Sequence, residues 1–286
     1  MTSMPALFLS HGSPMLALDP GATGAFLARL GPAIDRTFGR PKAVLAVSAH
    51  STARAPVLLA AARQHAVHDF GGFPEALHQL QYDAPGAPEW AEPVAALLRA
   101  AGAQPHVLDQ GGLDHGIWSM LRFLYPQADV PVLPLAWMPG QPPAQQFALG
   151  QALASLPGQG VLVMGTGSIT HNLRRIFGPG GQAEVAAPEI AESREFRTWM
   201  AERAAARDWP SLWDYRQQAP AAVDMHPTDE HLLPWFVAAG AGGADAAPVR
   251  LHEGVTYGCL GMDAYAFGPS AGALAQAMAE PVAGGV

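Results

Sequence analysis

Four histidines in this chain stand where an apolar run stops: His11 in ALFLSHGSP, His50 in AVLAVSAHS, His171 in VLVMGTGSITHN and His115 in GGLDHGIW. A fifth, His231, opens a predicted helix in HPTDEHLLPWF. The runs before His11, His50 and His171 read as buried strands of an α/β sheet. In open α/β sheets ligands collect beyond the carboxyl ends of the strands. Imidazoles gathered at that edge can bind a metal and move protons, so the pattern points to a metal enzyme.

The separations among His11, His50 and His231 are too large for a compact zinc-finger spacing, so position carries the argument. Small residues around them, Gly12 and Ser13 after His11 and Ser48, Ala49 and Ser51 around His50, let a ligand approach the backbone closely. A single histidine of this kind is most often a hydrogen-bonded structural residue; three at sheet-edge positions favour a ligand set. His226 precedes Pro227 and Thr228-Asp229-Glu230, a helix-entry sequence, and on local evidence either His226 or His231 could be the third ligand. His171 suits acid–base work, because its unperturbed pKa of ~6.5 lies near the operating pH. His115 either aims at the same pocket or starts a helix paired with Asp114. His65, His68 and His78 lie in an irregular segment where His68-Asp69 could line a lid, and His106 and His252 read as ordinary strand or surface residues.

Other chemistries are poorly served. There is no H-E-x-x-H, and MGTGS lacks both the G-x-G-x-x-G spacing and the Walker lysine. Cys259 is the sole cysteine, which excludes disulfides. Lys42, the only lysine, precedes a strand away from the expected active edge, which argues against Schiff-base chemistry.

These residues need a scaffold, and the chain supplies one. Strands are predicted at 5–10, 42–50, 56–61, 105–109, 130–137 and 160–168, with more after 247. Helices are predicted at 23–38, 89–101, 115–125, 143–156, 188–207 and 229–239. Pro134 would place the 130–137 strand at an edge or irregular position. Residues 65–88 and 208–227 read as irregular, and a long irregular segment in a compact domain is usually functional. Strands alternating with helices give a single α/β domain over 1–286, with a mixed, largely parallel sheet flanked by helices and the active site at one sheet edge.

With 49% hydrophobic residues the chain can bury a full core without staples. Its net charge of −8 and pI near 5.7 oppose binding to nucleic acid or to acidic membranes. No segment approaches the ~20 apolar residues of a spanning helix, and the N-terminus lacks a secretory pattern, so a cytoplasmic protein is expected. Monomer and homo-oligomer are equally compatible with the sequence.

Taken together, PALFLSHGSPM, VLAVSAHS, HDFGGFPEALHQLQYDAPGAP, GLDHGIWSML, GTGSITHNL and HPTDEHLLPWFVAAGA resemble, in that order, the DOPA-dioxygenase (DODA-type) branch of the class III extradiol ring-cleavage dioxygenases. The resemblance runs over almost the whole chain. It implies one α/β domain and non-haem Fe(II) used with O2 to open a catechol, DOPA-like or a related small aromatic, to a semialdehyde. It also implies His11, His50 and His231 as metal ligands and His171 as the acid–base residue. His115 would touch substrate or oxygen, and the EH-xx-P pattern favours His231 over His226. Three neutral imidazoles also suit Zn²⁺, so a zinc-dependent hydrolase or amidase on the same cluster is the alternative, and a non-catalytic binding protein a further one. Arg54, Arg174 and Arg175 near the active edge could pair with a substrate carboxylate, although solvated surface arginines are the commoner case. Phe70 and Phe73 could wall the pocket, and His68 or His226 could reach substrate.

Overall fold

The computed structural model describes residues 3–179 and 184–280. Its centre is an eight-stranded sheet formed by β1 (Ala6–Ser10), β2 (Ala43–Ser48), β3 (Val57–Leu59), β4 (His106–Leu108), β5 (Val132–Ala136), β6 (Val161–Gly167), β7 (Val249–His252) and β8 (Ala264–Phe267). The spatial order is β4-β3-β5-β2-β6-β1-β8-β7. The four central strands β5, β2, β6 and β1 are mutually parallel. β8 is antiparallel to β1 and β7 to β8, while on the other side β3 is antiparallel to β5. A mixed, largely parallel sheet within one α/β domain is what the alternating pattern implies.

The central strands are buried on both faces, which is why their sequences read as continuous apolar runs. Seven longer helices cover them: α1 (Gly21–Phe38), α2 (Ala91–Ala100), α3 (His115–Leu124), α4 (Pro143–Ala152), α5 (Ala191–Ala206), α6 (Leu233–Gly242) and α7 (Ala271–Ala279). Alternate residues of each strand feed two separate cores. Leu7, Leu9, Val44, Ala46, Leu162 and Met164 pack under α1, α3 and α7. Phe8, Leu45, Val47 and Val163 pack under α2, α4, α5 and α6. No helix among the described residues is long and apolar enough to cross a membrane.

Three expectations need correction. β5 is an interior strand, not an edge, despite Pro134. Ala46 pairs with Pro134 in the β2 ladder, whereas on the other side only Leu135 and Ala136 pair with β3. The carbonyl of Leu59, beyond that short ladder, accepts a hydrogen bond from Gln64 Nε2 at 3.0 Å. The proline is tolerated because its missing N–H falls where the β3 ladder has stopped. Residues 208–227 are not loop but hold three short helices, Trp209–Trp213, Tyr215–Gln218 and Ala222–Met225, whose Trp209, Leu212, Tyr215 and Met225 are buried. Tertiary burial stabilises turns too short to show a helical period. Finally, His231 lies in a turn just before α6 and not inside its first turn.

Candidate metal centre and catalytic pocket

The site forms where β1, β2 and β6 end side by side. His11 directly follows β1, and its N–H donates to the carbonyl of Gly167 at 2.8 Å, tying it to the end of β6. His50 lies two residues past β2. The turn that carries His231 is held to β6 by Ser168 N–H, which donates to the His231 carbonyl at 2.9 Å. Gly167 makes that approach possible, since a Cβ there would lie 2.0 Å from the same carbonyl oxygen. His171 follows β6 after a short turn, its N–H bonded to Met225 O at 2.9 Å.

These placements bring His11, His50 and His231 together, with one ring nitrogen from each within 4.8 Å of the others. Hydrogen bonds set their orientation. Thr166 Oγ1 donates to Gly116 O at 2.9 Å, so its contact with His11 Nδ1 at 3.0 Å makes the oxygen an acceptor. His11 therefore carries its proton on Nδ1 and turns a free Nε2 inward, 3.1 Å from His50 Nε2. His231 Nδ1 donates to Glu230 Oε1 at 3.2 Å, leaving its Nε2 buried without a partner. His50 Nδ1 faces Asp69 Oδ2 at 3.6 Å. Each imidazole has an oxygen behind Nδ1 and presents Nε2 to a common centre, the outer-shell arrangement of metal-binding histidines.

Burial keeps these rings neutral. It pushes His11 and His231 far below the ordinary histidine range, reinforced by the neighbouring imidazoles, His50 in each case first. His50 falls to about 4, from burial and then from His115. A cluster of neutral imidazoles with one orphaned Nε2 fits a divalent metal, whose histidine ligands bind in the neutral form.

Two further histidines face this centre. His171 stacks on His231 with ring centroids 3.5 Å apart and planes 6° from parallel. Burial and the adjacent His231 lower its pKa well below the usual range. His115, the first residue of α3, lies 4.0 Å from His50 between ring centroids. Its partner is Asp69, not Asp114: both His115 N–H and Nδ1–H donate to Asp69 Oδ1 at 2.9 Å. Asp114 instead accepts from Ser48 Oγ at 2.6 Å and Ser51 Oγ at 2.5 Å, bracing the end of β2. Partial burial would raise Asp69, but the His115 hydrogen bonds hold its carboxyl down at about 2.

The other histidines stay apart. His226 is buried beside Phe196 and Tyr215, with Nε2 donating to Ile169 O at 2.9 Å. His68 donates to Leu80 O and packs among Phe70, His78 and Trp118. Neither lines the pocket, a cavity of about 300 Å³ bounded by Pro14, Phe70, Phe73, Leu173, Phe177, Glu230, Asp69 and the histidines His50, His115, His171 and His231. Arg54 lines a different cavity, and Arg174 and Arg175 a third, where Arg175 pairs with Asp224. Sequence reasoning missed Thr166 and Asp69 as the groups that orient His11 and His115. Thr166 lies near the end of β6, and only its place at a strand end could have marked it. Leu173 and Phe177 were equally unforeseen as pocket walls.

Fold and site together define a class: α/β proteins with a histidine-lined pocket, fitted to a metal, at the carboxyl ends of parallel strands. Residues 5–268 match the family model described as the catalytic LigB subunit of aromatic ring-opening dioxygenase, and the chain belongs to that family. It is 34% identical to a 4,5-DOPA dioxygenase extradiol of Beta vulgaris, over 91% of this chain and 95% of the relative. It is also 34% identical to one of Escherichia coli K12, over 91% and 93%. An uncharacterized Escherichia coli K12 protein of known crystal structure superposes with a TM-score of 0.73 at 27% identity, covering 93% of this chain and all of that one. The chain is thus an extradiol-type aromatic ring-opening dioxygenase.

Proposed function

We propose that this chain is an Fe(II)-dependent extradiol dioxygenase in which residues 1–286 act as one catalytic domain. It opens a catechol, DOPA-like or a related small aromatic, beside its hydroxyl pair with O2 to give a semialdehyde. The observation that carries this reading is the convergence of three inward-facing Nε2 atoms beside a fourth imidazole stacked at 3.5 Å. Under it, His11, His50 and His231 hold the metal, and the relatives named as DOPA dioxygenases supply the precedent for a catechol. Bound iron would supply Lewis acidity toward the two catechol oxygens and the redox capacity for O2 chemistry.

The remaining work falls to the chain's own side chains. His171, at the pocket wall, accepts the proton of a catechol hydroxyl and returns it later in the cycle. His115 carries its Nδ1 proton toward Asp69, which leaves its Nε2 as the atom available to substrate or oxygen. Phe70 and Phe73, 5.5 Å apart between centroids, flank the ring site and exclude water. The zinc-hydrolase alternative uses the same three imidazoles and has no observation of its own.

Anaerobic reconstitution with Fe(II), followed by oxygen-electrode and absorbance assays over a catechol panel, tests the proposal. Oxygen uptake with a coloured semialdehyde only in the iron-loaded protein is expected. His171→Ala should lower kcat by roughly 10²–10⁴ while catechol binding persists. An iron-loaded protein that consumes no oxygen with any catechol ends the reading.

A further inference from the structure

We infer that the preferred catechol carries an uncharged, apolar ring substituent, and that carboxylate-bearing catechols are disfavoured. This rests on the dioxygenase reading of the same pocket and narrows its substrate class to related small aromatics, away from DOPA itself. All sixteen lysines and arginines lie within the described residues, and none lines the catalytic cavity. The fixed charges on its walls are the carboxylates Asp69 and Glu230. Both already accept hydrogen bonds from the protein: Asp69 from His115, Glu230 from Thr228 Oγ1 and His231 Nδ1. The one long helix that begins at the cavity, α3, has its first N–H answered by Asp69, so its positive end is occupied as well. A substrate carboxylate would enter with no side-chain cation to pair and two like charges nearby, an unfavourable burial.

The space beyond the histidines is instead apolar. Phe70 and Phe73 form one wall. Leu173 and Phe177, one turn apart on the short helix Leu173–Phe177, form the rim and are 45% and 63% exposed. Exposed apolar side chains at the mouth of a site gain by being covered, and a hydrocarbon substituent on the ring would cover them. Arg174, between them in sequence, lies with Asn172, Val223 and Thr228 in a separate surface groove.

Matched probes decide the point: 4-ethylcatechol, 3,4-dihydroxyphenylacetate, 3,4-dihydroxyphenethylamine and DOPA. Binding to protein loaded with redox-inert Zn²⁺ is measured by calorimetry, and kcat/KM by oxygen uptake in the Fe(II)-loaded protein. The expected result is that 4-ethylcatechol exceeds 3,4-dihydroxyphenylacetate by about tenfold or more in both readouts, the factor that one uncompensated charge imposes, and exceeds DOPA, whose ammonium accompanies its carboxylate, by a smaller margin. Leu173→Arg, a change at an exposed position, should shift the ratio several-fold toward 3,4-dihydroxyphenylacetate. Equal or better binding of either carboxylated probe overturns the inference, as does a tenfold loss of their affinity in Arg174→Ala. A best result with the amine probe also overturns it, because the wall carboxylates would then govern selection. If the zinc-protein ranking holds but no probe supports oxygen uptake with iron, the dioxygenase reading fails and the pocket's selectivity stands.

Discussion

Asp69 joins two functions of the site through one carboxylate. One oxygen accepts both His115 bonds at 2.9 Å while the other faces His50 Nδ1 at 3.6 Å. Replacing it by Asn keeps the size but removes the charge, and the amide can present an N–H where His115 needs an acceptor. Asp69→Asn is expected to weaken Zn²⁺ or Fe²⁺ binding about 10-fold, and to lower kcat/KM by 10–100-fold, the usual range for groups behind metal-bound histidines. Metal titration and steady-state kinetics check this, and unchanged values in both would remove Asp69 from the site. His226 supports a prediction on pH. Burial first, against the hydrogen bond to Ile169 O, leaves its pKa at about 4 in the folded state against 6.5 unfolded. Between these values the unfolded chain binds the proton and the native one does not. The contribution is therefore present above pH 6.5 and lost as pH falls toward 4, by about 3 kcal/mol in total. His226→Gln, which keeps a donor for Ile169, should show a shallower loss of stability in urea titrations from pH 7 to pH 4. At this scale His11, His50, His171 and His231 were legible because each follows an apolar run or precedes one. The Asp69–His115 pair was not, since its members are 46 residues apart and only tertiary structure brings them together.

Among the elements, β6 does most of the positioning. It stands between β2 and β1, so one strand registers the ends that present His50 and His11, and its own end grips the turn of His231. Gly167 is the weak point of that arrangement. A methyl group there would meet the His231 carbonyl at 2.0 Å, a backbone atom that cannot move without carrying the imidazole away from His11 and His50. Gly167→Ala is expected to destabilise the fold by about 1–3 kcal/mol, as overpacked cores do. The same variant should weaken metal retention about tenfold, a loss that general destabilisation would not produce at temperatures where the protein remains folded. Melting curves and metal content after gel filtration separate the two effects. The strands of this sheet were readable from sequence because burial on both faces makes them continuous apolar runs. Pro134 misled because the rule against interior prolines concerns hydrogen bonds, and β3 is too short to demand one there. The short helices of 209–225 were hidden because four or five residues show no period; their order comes from burial of Trp209, Leu212, Tyr215 and Met225.

For the whole molecule, composition already carried real constraints: an acidic chain with a full apolar core and one cysteine is stabilised by packing, not by staples. The proposed metal centre should nonetheless couple to global stability, because it would draw on neutral imidazoles from the ends of β1 and β2 and from the turn before α6. His231 Nε2 is buried without a partner, and His11 Nε2 and His50 Nε2 lie 3.1 Å apart, within hydrogen-bonding distance. A divalent ion would give the orphaned His231 Nε2 a partner in the native state. Binding to the folded chain alone stabilises it by RT ln(1 + [L]/Kd), about 2.7 kcal/mol at a hundredfold excess over Kd. For a domain of this size each kcal/mol moves the melting temperature by roughly 2–4 °C. Chelator treatment should therefore lower Tm by about 5–10 °C, and Zn²⁺ or anaerobic Fe²⁺ should restore it. His231→Ala, which leaves two imidazoles, should melt at the same temperature with or without added metal. A wild-type Tm indifferent to chelator and to both ions, in protein verified metal-free, would show that the three imidazoles do not form a metal site. A shift retained in His231→Ala would place the ion elsewhere, with His50, Asp69 and His115 as the other cluster whose ligand atoms lie within 4.8 Å of one another.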